Sequence, residues 1–139
     1  MKVVLDSNIF IAATNCNDVN AASCEALINK LNVGAYEIVA PAIQLWEIAA
    51  YFNHPERRKS HQSNQESSFT VRHHDVTQDL FIETYSAAIV AVKGADRVFV
   101  SLAKHLDIPL ITNDAQILKN AELLGVRAIR PEDFVANGS

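Results

Sequence analysis

The sequence predicts a three-layer α/β/α fold around a central, mostly parallel sheet. Short β-branched or apolar runs alternate with helical patterns along nearly the whole chain, as is typical of parallel sheets covered on both faces. Hydrophobic residues make up 49% and charged residues 20% of the 139 residues, which is ordinary for a globular domain with a buried core. We therefore expect one domain over residues 1–135 and a frayed tail at 136–139.

The strands are predicted from short apolar or β-branched runs bounded by turn residues. They fall at residues 2–5, 36–40, 69–76, 109–112 and 126–129. The first of these, KVVL, is followed at once by Asp6, Ser7 and Asn8, and the last two can cap a helical turn.

The helices are predicted from apolar residues that recur every three or four positions. They fall at 20–31, 41–52, 78–93, 96–106 and 115–124, whereas residues 9–13 are predicted as a turn. Pro41 suits the first position of the second helix, and Thr77 suits the cap of the third. Gly94 and Gly125 should end the helices before them, and residues 131–134 predict a short turn.

The central segment 53–68 departs from the alternation of strands and helices. It is polar, has no apolar periodicity, and contains the densest basic run, Arg57, Arg58 and Lys59. A loop of this length in a small domain is usually functional or mobile. The basic run could contact RNA phosphates, or it could belong to a solvated loop with no ligand.

Composition and motifs exclude several functional classes. The net charge of −4 argues against a strongly basic nucleic-acid coat, although an acidic metal centre can lower the total. No apolar run approaches the roughly 20 residues of a membrane span, and no signal peptide is visible, so we expect a cytoplasmic protein. The two cysteines, Cys16 and Cys24, have no metal-binding spacing, and no phosphate-binding glycine motif occurs.

Four acidic residues stand where a parallel-sheet fold would bring them together: Asp6, Glu47, Asp96 and Asp114. Ligands of such sheets bind outside the carboxyl ends of the strands. Two carboxylates about 4 Å apart repel by roughly 4 kcal/mol at an effective dielectric of about 20, and a divalent cation relieves this repulsion. Oxygen-only ligands favour Mg²⁺ or Mn²⁺, which can activate water for phosphodiester hydrolysis.

Each acid also has a simpler interpretation. Asp6 and Asp114 could be turn or helix-cap residues, and Asp96 could favour the positive end of its helix. Glu47 could be solvated, although its helical face also carries apolar residues.

The segments around these acids resemble the PIN domain family, metal-dependent ribonucleases that include the VapC-type toxins. The similar segments are residues 5–8 (LDSN), 40–48 (APAIQLWEI), 93–97 (KGADR), 109–114 (PLITND), 125–126 (GV) and 131–134 (PEDF). The resemblance implies a PIN-like fold in which Asp6, Glu47, Asp96 and Asp114 hold Mg²⁺ or Mn²⁺. It places Asn8 and Thr112 on accessory positions that orient a carboxylate or a water. The family often has a basic residue after its last acid, whereas Ala115 and Gln116 stand here.

The function that the resemblance implies is a metal-dependent endoribonuclease that acts on RNA, as the toxin of a toxin–antitoxin pair. It implies a homodimer and an antitoxin protein as partners, without a membrane. A non-catalytic PIN-like module that binds RNA or protein is the alternative. A phosphoacceptor receiver domain ranks third, because no strand-end aspartate stands at mid-chain.

Overall fold

The computed structural model describes residues 1–14, 18–52, 71–85, 89 and 92–137, and these contain five strands and seven helices. The strands are β1 (Lys2–Leu5), β2 (Glu37–Pro41), β3 (Val71–His74), β4 (Leu110–Ile111) and β5 (Ala128–Ile129). The helices are α1 (Ser7–Thr14), α2 (Ala21–Val33), α3 (Ile43–Phe52), α4 (Gln78–Thr84), α5 (Asp96–Leu106), α6 (Ala115–Leu124) and α7 (Pro131–Asn137).

All five strands are parallel and lie in the order β3-β2-β1-β4-β5. The chain runs outward from β1 through β2 to β3, then returns to the other side of β1 for β4 and β5. The strand order therefore reverses between β1 and β4, and ligands of open α/β sheets bind at such a reversal.

The central strand β1 supplies apolar side chains to both faces of the sheet, because successive side chains of a strand point in opposite directions. Val3 and Leu5 pack with α1, α2 and α7, whereas Val4 packs with α5 and α6. These two separate core clusters confirm the predicted three-layer α/β/α fold.

Helix α5 shows how local sequence produces the packing. Phe99, Leu102 and Ala103 recur at helical spacing, are 1% exposed, and pack the helix over the sheet. The helix ends at Asp107, whose φ of 53° is left-handed. Helix α6 begins beside Asp114, which caps it, and ends at Gly125, whose φ of 75° favours glycine.

The last helix, α7, is fastened to the body of the protein by Lys30 of α2. The Lys30 ammonium donates to the backbone oxygens of Phe134 and Val135, each at 2.9 Å. The Phe134 ring is fully buried and meets Tyr36 edge-on, with 5.6 Å between ring centroids.

The short turn predicted at 131–134 is wrong: Pro131 begins a helix, a position that its fixed φ suits. Residues 136–137 of the predicted tail belong to that helix, and residues 138–139 lie outside the described residues. The turn predicted at 9–13 is also wrong, because these residues lie within helix α1.

Two other predictions are wrong. The helix predicted over 78–93 ends at Thr84, because Tyr85 has a ψ of 134° and leaves the helical region. Gly94 instead lies in the turn before α5, with a φ of 50°. Pro41 is the last residue of β2, not the first of α3, because pairing with His74 extends the strand to it. Thr77 caps α4 as predicted, and its hydroxyl accepts the Leu80 N–H at 3.1 Å.

No helix in the described ranges is long and apolar enough to cross a membrane.

Candidate metal centre

The predicted acidic residues lie around the carboxyl ends of β1, β2 and β4, where the strand order reverses. Asp6 directly follows β1, and Thr112 directly follows β4. Because Leu5 pairs with Ile111, the strand register makes Asp6 and Thr112 neighbours. The Asp6 N–H continues the pairing by donating to the Ile111 oxygen at 3.1 Å.

Thr112 connects two of the acids. Its hydroxyl donates to Asp6 Oδ2 at 2.9 Å and accepts the Asp114 N–H at 3.0 Å. Thr112 is fully buried and Asp6 is 2% exposed, so this hydrogen bond lies out of water. Charge-assisted hydrogen bonds of this kind are stronger than neutral ones, and they fix the direction of the carboxylate.

Asp114 caps α6, which was one of its two interpretations. Its Oδ1 accepts the Ile117 N–H at 2.9 Å. The cap occupies a single carboxylate oxygen, and Oδ2 has no hydrogen bond to any described residue. A cap and a metal ligand are therefore compatible roles for this residue.

Glu47 reaches the same region from α3, which follows β2. The hydroxyl of Ser7, the first residue of α1, donates to Glu47 Oε1 at 2.8 Å. Ser7 is 3% exposed and immediately follows Asp6. Ser7 was not predicted from the sequence as an accessory residue, although its position next to Asp6 was an available signal.

Asn8 contacts Asp6 through its backbone: its N–H lies 3.5 Å from Asp6 Oδ1, a long hydrogen bond. Its side chain is exposed.

The electrostatics show that the acids influence one another. Burial raises the pKa of Asp6 above its usual value, the hydrogen bonds from Thr112 and Asn8 oppose the rise, and the charges of Glu47 and Asp114 add to it. Burial also raises the pKa of Asp96 from 3.8 to about 6, with further contributions from Asp6 and Asp114. Asp96 is the first residue of α5, which packs over β1 and β2. All four predicted acids therefore take part in one set of interacting charges.

A model of the PIN domain family matches residues 3–123. The chain belongs to the PIN domain family. PIN domains are generally nucleases.

Solved structures share the fold of this chain at low sequence identity. One of them is a chain of VapBC2 from Rickettsia felis, whose structure was solved with a DNA fragment from the VapBC2 promoter. It has a TM-score of 0.67 and 16% identity, and the match covers 94% of this chain and 98% of that one. A PilT N-terminus domain protein from Sulfolobus solfataricus has a TM-score of 0.54 and 17% identity, covering 99% and 92%. A domain of a functionally unknown protein from Methanocaldococcus jannaschii has a TM-score of 0.51 and 18% identity, covering 93% and 89%. No curated protein matches the sequence.

The donor set of this PIN domain fits a hard divalent cation, since all four acids offer carboxylate oxygens. Across the described residues, however, no three Asp, Glu, His or Cys side chains are arranged closely enough to hold a metal ion. The acids are thus electrostatic neighbours, not a formed coordination cage. The basic run Arg57, Arg58 and Lys59 lies outside the described residues.

Proposed function

We propose that this PIN domain is an endoribonuclease that depends on Mg²⁺ or Mn²⁺, with Asp6, Glu47, Asp96 and Asp114 as the metal ligands. The observation that carries the proposal is the placement of these acids where the strand order reverses, close enough that the charges of the others raise the pKa values of Asp6 and Asp96 beyond the effect of burial. Buried carboxylates that lie near other negative charges are destabilising to the fold without a partner, so their placement together favours a cation-binding role.

The hydrogen bonds of the acids support this assignment. Thr112, Ser7 and the N-terminus of α6 each hold one oxygen of a different carboxylate, respectively that of Asp6, Glu47 and Asp114. Donors that orient the ligands of a metal are typical of metal centres in proteins. The second oxygens of Glu47 and Asp114 have no hydrogen bonds to described residues, so they are the candidates to face a cation.

A divalent cation bound here would supply a Lewis acid for the scissile phosphate and would lower the pKa of a water. The chain's own part would be to hold the carboxylates in place. Thr112 follows β4 and donates to Asp6, which follows β1, so a buried side-chain hydrogen bond adds to the backbone pairing of the two strands. Arg57, Arg58 and Lys59 would contribute affinity for the RNA backbone through phosphate contacts.

The test is cleavage of single-stranded RNA by purified protein with Mg²⁺, with Mn²⁺ and with a chelator. We expect cleavage with one or both metals, none with chelator, and a loss of at least 100-fold in Asp6→Asn. Asp79→Asn is the matched control, because Asp79 is an exposed aspartate on α4 and should leave the rate unchanged. Cleavage that survives both the chelator and Asp6→Asn would contradict the proposal. Metal-independent RNA binding without cleavage would favour the non-catalytic module instead.

We further propose that the physiological role is the toxin of a toxin–antitoxin pair, acting in the cytoplasm as a homodimer with an antitoxin protein as partner. The support is the similarity in fold to a chain of the VapBC2 complex. Expression of the chain alone should arrest growth, whereas Asp6→Asn should not. A small neighbouring open reading frame with a DNA-binding pattern should relieve the arrest when both are expressed. If growth is unimpaired although the enzyme is abundant and cleaves RNA, the toxin role is wrong while the nuclease activity stands.

A further inference from the structure

The hydrogen bond between Ser7 and Glu47 connects two parts of the candidate metal centre that are 40 residues apart in sequence. Ser7 begins α1, immediately after Asp6 at the end of β1, and Glu47 lies on α3. Helices α1 and α3 pack against each other, so the hydroxyl reaches Glu47 from a rigid element. The Ser7 side chain is buried, and the sequence predicted it only as a possible helix cap.

We propose that Ser7 is a positioning residue that holds the Glu47 carboxylate toward the cation. This inference rests on the proposed metal-dependent function and deepens it. A glutamate side chain has three rotatable bonds, and the charge of Asp6 repels it. The donor on Ser7 opposes both effects, because it fixes Oε1 at 2.8 Å, and Oε2, which has no hydrogen bond to any described residue, is the oxygen proposed to bind the cation.

The chemistry of the contact suits a hydroxyl. Serine donates its single hydrogen to a carboxylate, and such charge-assisted bonds are short and directional. Since Ser7 and Asp6 are consecutive residues, the same turn of backbone that places Asp6 also places the donor to Glu47. The separation of these two acids is therefore set by the fold, not by the free rotation of Glu47.

The hydrogen bond from Ser7 to Glu47 parallels the one from Thr112 to Asp6. Thr112 donates to Asp6 Oδ2 from the strand β4, and Ser7 donates to Glu47 Oε1 from the helix α1. Two buried hydroxyls from two different elements thus orient two different carboxylates. Loss of a group that orients a metal ligand commonly weakens metal affinity by about 10- to 100-fold.

The test compares Ser7→Ala, Ser7→Thr and the unmodified protein by calorimetric titration with Mn²⁺ alone, alongside thermal melts in chelator. We expect Ser7→Ala to weaken Mn²⁺ binding by roughly 10- to 100-fold, and Ser7→Thr, which keeps the hydroxyl, to remain within about threefold. Ser23→Ala is the matched control. Ser23 lies on α2, and its hydroxyl donates to the backbone oxygen of Asn20. Removing this hydroxyl should leave Mn²⁺ affinity unchanged.

A purely structural role for Ser7 would lower the melting temperature in chelator while leaving the Mn²⁺ affinity of the folded protein intact, and that result overturns the proposal. If Ser7→Ala does not fold, Ser7→Cys replaces it, since a thiol has similar size and is a weak donor. Absence of Mn²⁺ binding in the unmodified protein would overturn both this inference and the proposed function. Equal binding by the unmodified protein and Ser7→Ala would overturn only the role of Ser7.

Discussion

Replacing Asp96 with asparagine removes one charge from the interacting acids with little change in size. Burial, and then the charges of Asp6 and Asp114, raise the pKa of Asp96 in the folded protein from 3.8 to about 6. The unfolded chain ionises near the ordinary value, so between these two pH values the folded state binds more protons. The contribution of this carboxyl to stability is therefore fully present below pH 3.8 and is lost as pH rises through about 6.

The size of the effect follows from the pKa difference. Each pKa unit corresponds to about 1.4 kcal/mol, which sets an upper limit of about 3 kcal/mol on the cost of the ionised Asp96. The carboxyl is only half-buried, and screening by solvent reduces the cost to roughly 1–2 kcal/mol. Asp96 is the first residue of α5, where a negative charge interacts favourably with the helix dipole. Loss of that charge in the variant therefore cancels about 0.5 kcal/mol of the stability gain. We expect a net gain of about 1 kcal/mol, or a rise of roughly 4 °C in melting temperature.

Thermal melts of the metal-free protein at pH 7.5 and pH 4.5 measure this gain. Asp96→Asn should melt about 4 °C higher at pH 7.5, and the difference should fall below half of that value at pH 4.5. Asp79→Asn serves as the control, because Asp79 lies in the first turn of α4 but is exposed. It should show no gain at either pH.

Melts in excess Mg²⁺ or Mn²⁺ complete the experiment. Binding to the folded state alone should stabilise the unmodified protein, and the variant should lose most of that stabilisation. A variant that is no more stable at pH 7.5, or whose gain is the same at both pH values, would refute the electrostatic reasoning. An equal metal-induced rise in both proteins would return Asp96 to the role of a helix-terminal charge.

Three further outcomes are expected. Thr112→Val leaves the buried Asp6 carboxylate without its donor and should lower the free energy of unfolding by about 2–3 kcal/mol, whereas Thr112→Ser should not; equal denaturation midpoints would contradict this. Phe134→Ala leaves a cavity at a fully buried site and should lower the free energy of unfolding by about 3–5 kcal/mol, as measured by urea titration. A loss below about 1 kcal/mol would be inconsistent with that packing. Replacing Arg57, Arg58 and Lys59 with alanine should weaken RNA binding and flatten its salt dependence without changing metal affinity; an unaltered salt slope would assign the run to a solvated loop.

The elements that the sequence predicted well have strong local signals. Helix α6 has a capping aspartate before it and a glycine with positive φ after it, and its predicted bounds, 115–124, agree with the structure. Strand β1 is equally clear, because a β-branched apolar run buried on both faces has few alternatives. The errors arose where tertiary contacts decide the outcome. Pairing with His74 places Pro41 in β2. Helix α7 is held by the hydrogen bond from Lys30 to the Phe134 oxygen and by burial of the Phe134 ring. Neither contact can be predicted from the local sequence.

The candidate site was predictable in outline but not in its hydrogen bonds. The spacing of the acids relative to strand ends indicated which residues would approach one another. The partner of each carboxylate depends on strand register and helix packing, so the Ser7–Glu47 contact could not be read from a sequence in which the two are 40 residues apart. The dual role of Asp114 illustrates the same limit: local sequence indicates a cap, and only the charges around it indicate a second role.

The position of β1 between β2 and β4 means that the sheet is completed only when the two halves of the chain meet. A cut between α3 and β3 divides the acids equally, with Asp6 and Glu47 on one piece and Asp96 and Asp114 on the other. Each piece ends up with strands whose partners are on the other piece, because both the β1–β4 and the β2–β3 pairings cross the cut. The proposed nuclease activity would then report reassociation of the halves, and fusing each half to one of two interacting proteins would couple that activity to their encounter.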